Sequence, residues 1–265
     1  MTADPALAAL FVRMARQAGA LIMTHYGNAE ARMKADESPV TAADEAAEAL
    51  ILEGLAAAMP MLPVVSEEAA SQGRFPPASA EFVLVDPLDG TKEFLKRNGQ
   101  FTVNIALVRN GEPVVGVVYA PAAGRLFWTD GRSAFEASAD PGDDGAAVLA
   151  PLSSWRIEAR AAEPGGVDAV VSGSHADAGT DAFLARYAVR SCRAIGSSLK
   201  FCAIAAGKAD LYPRLGRTME WDTAAGHAVL RAAGGTVETL DGAPLRYGKA
   251  ADGFANPHFV AHGKT

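Results

Sequence analysis

Apolar side chains at Leu7, Leu10, Phe11, Met14, Leu21 and Ile22 recur at helical spacing, predicting a helix over 6–26 that stops at Gly27. A second helix, rich in Ala and Leu, is predicted over 42–58 and ends near Pro60. Residues 63–66 read as a short strand leading into Glu67 and Glu68. From 81 the pattern changes to strands, over 81–86, 100–108, 113–120, 125–129 and 132–136. Asn110-Gly111 and Asp130-Gly131 separate neighbouring pairs as hairpin turns, which predicts a largely antiparallel sheet. Residues 137–166, rich in Ala, Asp, Gly and Pro, read as a linker or surface loop. Beyond it a strand is expected at 169–172 and helices at 178–187, 197–206 and 223–233, the last closed by Gly234-Gly235. The expected class is α+β. An N-terminal α+β part (1–136) and a C-terminal α/β part (167–265) flank the linker.

Composition narrows the function classes. At 265 residues the chain can bury a sizeable core. Its net charge of −7 argues against nucleic-acid polymers and against a polybasic membrane patch. The two cysteines, Cys192 and Cys202, form no disulfide framework and no Cys-rich metal site. They are expected as reduced, buried thiols of a cytoplasmic protein. Arg13 and Arg16 break the one candidate leader segment, and no uninterrupted apolar run approaches the ~20 residues of a membrane span. Peripheral docking at an inner membrane stays open, as does the choice between a monomer and a homodimer.

The run DPLDGTKEF at 86–94 carries the chemistry. It follows the apolar Phe82-Val83-Leu84-Val85, so Asp86 and Asp89 are folded back at a strand end beside the Thr91 hydroxyl. Hard carboxylate oxygens suit Mg²⁺, which takes one or two carboxylates plus water and substrate phosphate. Asp44, Glu67 and Asp222 also sit at element edges, where their side chains can point into a cleft. Asp222 follows Trp221 as an expected helix N-cap, and Thr41-x-x-Asp44 reads as a capping box. Glu67, Asp86, Asp89 and Asp222 together carry four negative charges, which two Mg²⁺ ions neutralise. Glu67 and Thr91 are placed to orient a water and take its proton. On the substrate side, Ser197 and Lys200 lie one turn apart, Arg214 ends a strand, and His175 follows another.

Ser66-Glu67-Glu68, Asp86-Pro87-Leu88-Asp89-Gly90-Thr91 and Trp221-Asp222-Thr223-Ala224-Ala225-Gly226 resemble, in order, the metal motifs of the inositol monophosphatase superfamily. TKEFLKRNGQFTVNIALV from Thr91 and GSSLKFC from Gly196 resemble its 3′(2′),5′-bisphosphate nucleotidase branch. So do Ser38-Pro39-Val40-Thr41-Ala42-Ala43-Asp44 and Leu211-Tyr212-Pro213-Arg214. Arg217-Thr218-Met219-Glu220 departs from that branch. The resemblance implies a layered αβαβα sandwich and a lithium-sensitive, Mg²⁺-dependent phosphatase. Its metal ligands would be Glu67, Asp86, the Leu88 carbonyl, Asp89 and Asp222, with Asp44 tied to a third, weaker metal or its water shell. Thr91 would activate water with Glu67. The substrate implied is a small bisphosphorylated nucleotide, held by Glu67, Leu88, Asp89, Gly90, Thr91, His175, Ser197, Lys200, Arg214 and Asp222. Two alternatives stand beside it: a phosphatase for inositol or sugar phosphates, and a non-catalytic, metal-dependent nucleotide sensor.

Overall fold

Asp4 starts the first helix by accepting the Leu7 N–H at 3.0 Å, with Pro5 following where its missing N–H costs nothing. From there the chain builds α1 (Pro5–His25), β1 (Ala31–Met33), β2 (Pro39–Thr41), α2 (Ala42–Ala58), β3 (Val64–Ser66), α3 (Glu67–Ser71), β4 (Glu81–Asp89) and α4 (Thr91–Leu95). Four antiparallel strands follow, β5 (Thr102–Arg109), β6 (Glu112–Ala120), β7 (Arg125–Thr129) and β8 (Ala134–Ser138), then β9 (Ser154–Ile157). The last third holds β10 (Val167–Val171), α5 (Ala178–Leu184), β11 (Val189–Ala194), α6 (Leu199–Ala205), β12 (Leu211–Arg214), α7 (Glu220–Ala232), β13 (Thr236–Thr239) and β14 (Phe259–His262). The computed structural model describes residues 4–28, 30–34, 39–140, 153–173 and 178–264.

The elements stack as an αβαβα sandwich. A seven-stranded sheet runs in chain order from β3 to β9, parallel only between β3 and β4. Its period-two pattern serves both faces. Val83, Val85, Val103, Ile105 and Leu107 join the core under α1 and α2, whereas Phe82, Leu84, Ala106 and Val108 face α6 and α7. The five-stranded sheet, ordered β11-β10-β12-β14-β13, does the same between α6–α7 and α5. Asn110 and Gly111 both adopt positive φ (53° and 77°), as a two-residue turn between β5 and β6 requires.

Two expectations need correction. The segment 137–166 is not all loop, because β9 pairs with β8 and Ile157 and Ala159 enter the central core. Four residues with only Trp155 and Ile157 apolar are too short a pattern to read as a strand. β11 is exposed along its whole length as an edge strand, so it lacks a burial pattern. Cys192 lies on it and is exposed, whereas Cys202 is buried. By length and composition alone α1, at 21 residues, is apolar enough to cross a membrane. Phe11, Ala15, Ala18 and Ile22 on it are nonetheless fully enclosed, so it packs as a core helix.

The central layer positions the site. α7 belongs to the C-terminal part but rests on β4, β5 and β6 of the first sheet. Gly116 of β6 makes that approach possible: a Cβ there would lie 2.7 Å from the Ala225 carbonyl oxygen and 2.8 Å from the Ala228 Cβ. Gly116→Val is expected to cost ~1–3 kcal/mol or more by overpacking and to lower turnover, because α7 carries Asp222. An unchanged denaturation midpoint would refute this.

A second test lies deeper in the same helix. Burial, with Arg231 nearby, pushes the His227 imidazole down from its ordinary 6.5 to about 3, and its Nδ1 lies 3.0 Å from the Tyr247 hydroxyl. A depressed imidazole pKa means the unfolded chain binds the extra proton first. This contribution to stability is complete above about pH 6.5 and is lost as pH falls towards 3. His227→Gln should therefore lose less stability than the parent between pH 6.5 and 4. Parallel acid profiles for the two proteins would contradict it.

Candidate active site

A bulge in β4 brings the first two carboxylates to one side. Asp86 pairs with Asn104 and Asp89 with Thr102, so three steps on β4 match two on β5. In a regular strand residues three apart face opposite ways; the extra residue turns both Asp86 and Asp89 towards one cavity of about 240 Å³. The strand thus continues through Asp89 rather than ending at 86 as expected. Gly90 then turns the chain into α4 with φ 95°, and a Cβ there would sit 3.2 Å from the Gln100 carbonyl oxygen.

Glu67 reaches the same cavity from the first turn of α3, Asp222 from the first turn of α7, and Leu88 also lines it. Asp222 is not the N-cap. Met219 holds that place, and Asp222, three residues on, accepts the Met219 N–H at 2.7 Å with Oδ2. Reading the helix start from Trp221 missed a helix that begins at Glu220.

Burial and neighbouring carboxylates raise the proton affinity of Asp86, Asp89 and Asp222. Burial first, then Glu67, Asp89 and Asp222, hold the Asp86 carboxyl well above its usual range. Burial and then Asp89 and Glu67 do the same to Asp222. Asp89 is held up to about 6 by burial, against the lowering effect of Lys200 and of the Ser198 N–H. The donor set is hard oxygen and short of positive charge, which fits Mg²⁺. Among the described residues, no three acidic, His or Cys side chains close on one point as a ready cage. Mg²⁺ takes few protein ligands and completes its shell with water and phosphate.

Thr91 and Asp44 form a separate pair. Thr91 Oγ1 donates to Asp44 Oδ1 at 3.0 Å. The other Asp44 oxygen accepts the Thr41 N–H at 2.8 Å and the Thr41 hydroxyl at 2.6 Å, completing the expected capping box. Asp44 is 1% exposed and lies behind Thr91 rather than on the cavity wall.

The same cavity holds cations. Lys200, Arg214 and Arg217 line it with Ser197, Gly90 and Thr91. Here too one expectation changes. α6 begins at Leu199 rather than 197, and the Lys200 ammonium donates to the Ile195 and Ser197 carbonyls at 3.0 and 2.7 Å. Burial lowers it to about 8, with Asp89 pulling it back up. Arg214, at the end of β12, donates through Nη2 to the Arg217 carbonyl at 2.9 Å. Its Nε is enclosed and has no partner among the described residues. His175 lies outside the described residues. Trp221 is 6% exposed and packs in the core.

Sequence reasoning missed Lys34, whose ammonium lies 2.7 Å from both Glu67 and Glu68. Nothing local connects positions 33 residues apart. It also missed Asn104 and Ser198, which hold Asp89: Asn104 Nδ2 lies 3.3 Å and the Ser198 N–H 2.7 Å from Asp89 Oδ2.

Comparison with known proteins agrees with this geometry. The pattern of the inositol monophosphatase family matches residues 5–264. The 3′(2′),5′-bisphosphate nucleotidase CysQ of Escherichia coli strain K12 is 46% identical over 250 residues, covering 93% of this chain and 96% of that protein. The crystal structure of CysQ from Bacteroides thetaiotaomicron, a bacterial member of the same family, superposes with a TM-score of 0.79 at 38% identity, covering 98% of both chains. An IMPase from Thermotoga maritima gives 0.74 at 26% identity, over 95% of this chain and 90% of its own. Strand order, the meeting of distant acidic motifs at one cavity and a match along nearly the whole length lead to one conclusion: the chain belongs to the inositol monophosphatase family.

Proposed function

We propose that the protein is a cytoplasmic, Mg²⁺-dependent phosphatase that removes the 3′-phosphate of 3′-phosphoadenosine 5′-phosphate, giving AMP and phosphate, in sulfur assimilation. The observation that carries this reading is the mixed lining of one cavity. Carboxylates Glu67, Asp86, Asp89 and Asp222 line it together with the cations Lys200 and Arg214. Metal held by the carboxylates, with a guanidinium in the same cavity, matches a substrate with two phosphates. The names of the CysQ relatives support the nucleotide as that substrate.

Mg²⁺ held by Glu67, Asp86, the Leu88 carbonyl, Asp89 and Asp222 would neutralise the carboxylates and supply Lewis acidity towards phosphate. The chain does the rest. Asp44 holds the Thr91 hydroxyl in one orientation, and Thr91 with Glu67 orients the attacking water and accepts its proton. Both Asp44 oxygens are engaged by Thr41 and Thr91, which favours that orienting role and two ions over a third ion at Asp44. The enclosed Arg214 Nε offers the second phosphate a charge-assisted hydrogen bond.

Phosphate release from the bisphosphorylated nucleotide and from inositol 1-phosphate tests the proposal directly. One charge-assisted bond of ~1.5–3 kcal/mol predicts a kcat/KM about 10–100-fold higher for the nucleotide. A preference for inositol 1-phosphate would overturn the nucleotide assignment.

A further inference from the structure

Three side chains of the first sheet grip three consecutive residues of the second layer. Gln100 Oε1 accepts the Gly196 N–H at 2.6 Å. Thr102 Oγ1 donates to Ser197 Oγ at 3.2 Å, and Asn104 Nδ2 donates to Ser198 Oγ at 3.1 Å. Gln100, Thr102 and Asn104 alternate along one face leading into and through β5, while Phe101 and Val103 between them point into the core under α1 and α2. Each rung thus matches one residue of the loop before α6.

The loop is held in a costly conformation. Ser197 has φ +48°, in the left-handed region that non-glycine residues rarely enter. That turn aims the Ser198 N–H at Asp89 Oδ2 (2.7 Å), while Ser198 Oγ donates to the Asp222 carbonyl at 2.6 Å. Ser198 and Asn104 are each 1% exposed, so water does not substitute for these bonds. Gly196 and Ser197 meanwhile form part of the cavity wall.

We infer that Gln100, Thr102 and Asn104 form a positioning rail with two separable outputs. Asn104 at its far end sets the Asp89 carboxylate for a divalent cation. Gln100 at its near end sets the Gly196–Ser197 wall that the substrate touches. The inference deepens the phosphatase reading and rests on it for the substrate output alone. The run GQFTVN, which the chemistry of the carboxylates leaves unexplained, is assigned this task.

Mn²⁺ titration without substrate, followed by calorimetry, reads the first output; the split between KM and kcat reads the second. Asn104→Leu, close in volume but without the donor, is expected to weaken Mn²⁺ binding about 10–100-fold, the usual loss for a partner that orients a ligand. Asn104→Ser serves as a second variant should the first fail to fold. Gln100→Ala is expected to raise KM several-fold with Mn²⁺ affinity kept. Thr102→Val should shift both readouts and Thr102→Ser restore them, which a purely structural role would not produce. Parent-like Mn²⁺ affinity in a folded Asn104 variant overturns the rail, and so does a parent that takes up no Mn²⁺. A parent that binds Mn²⁺ but releases no phosphate from the nucleotide overturns the proposed function, and the titration still judges Asn104.

Discussion

Asp89→Asn is expected to lower turnover by ~10²–10³-fold or more, the loss typical for removing one charge-stabilising group from a reaction centre, while the unfolding midpoint stays at or above the parent's. The two halves have one origin. The Asp89 carboxylate shares one cavity with Asp86 and Asp222, and burial holds it up to about 6. Its charge is therefore a cost to the folded chain, retained for what it binds. The amide keeps an oxygen for the Ser198 N–H and removes the repulsion, so the fold survives. Single-turnover phosphate release and denaturant unfolding of the same sample check both halves. Turnover within ten-fold of the parent would remove Asp89 from the ligand set. Tight nucleotide binding with no phosphate released by the parent would instead support the sensor reading.

Glu220→Ala is expected to cost ~3–5 kcal/mol of stability, the range for breaking a buried charged pair from one side. Glu220 is fully enclosed and lies 2.6 Å from the Lys249 ammonium. Its two oxygens also accept the Gly248 and Lys249 N–H groups at 2.7 and 2.9 Å. Alanine leaves those donors and the ammonium without their acceptor. The carboxylate ties the 248–249 turn to the first residue of α7, two residues before Asp222. Glu220→Gln keeps an acceptor for the backbone and should lose markedly less. A fall in midpoint denaturant concentration at constant slope measures the difference. A loss below about 1 kcal/mol in the alanine variant would refute the argument. The pairing also accounts for Glu220, the last residue of the run that departs from the nucleotidase branch: it anchors α7 from behind and does not line the cavity.

Reading of the sequence succeeded where a signal is local. Helices over 6–26 and 42–58 differ by a residue or so from α1 and α2, because apolar spacing, Asp4, Thr41 and the stops at Gly27 and Pro60 all lie within the segment itself. The hairpins from β5 to β8 were legible for the same reason. It failed at β9 and β11, whose pairing comes from distant neighbours rather than from their own pattern. At the site, Glu67, Asp86, Asp89, Thr91 and Asp222 were named from motifs, and they line one cavity. Lys34, Asn104 and Ser198 were not named, since a Lys, an Asn or a Ser has no meaning until its partner is known.

The sequence by itself singled out the acidic groups that line the cavity, the family they indicate and the alternation that builds the sheets. Those follow from periods and motifs a few residues long. Tertiary structure alone decided how the groups are used. The bulge between Asp86 and Asp89 turns both to one side, Gly116 lets α7 settle close enough to deliver Asp222, and the β5 rail aims the Ser198 N–H at Asp89. It also bent Lys200 back onto backbone carbonyls and left Arg214 Nε without a partner among the described residues. Each depends on which partners burial brings within hydrogen-bond reach across a hundred residues of chain, and that proximity is a property of the packed layers rather than of any segment.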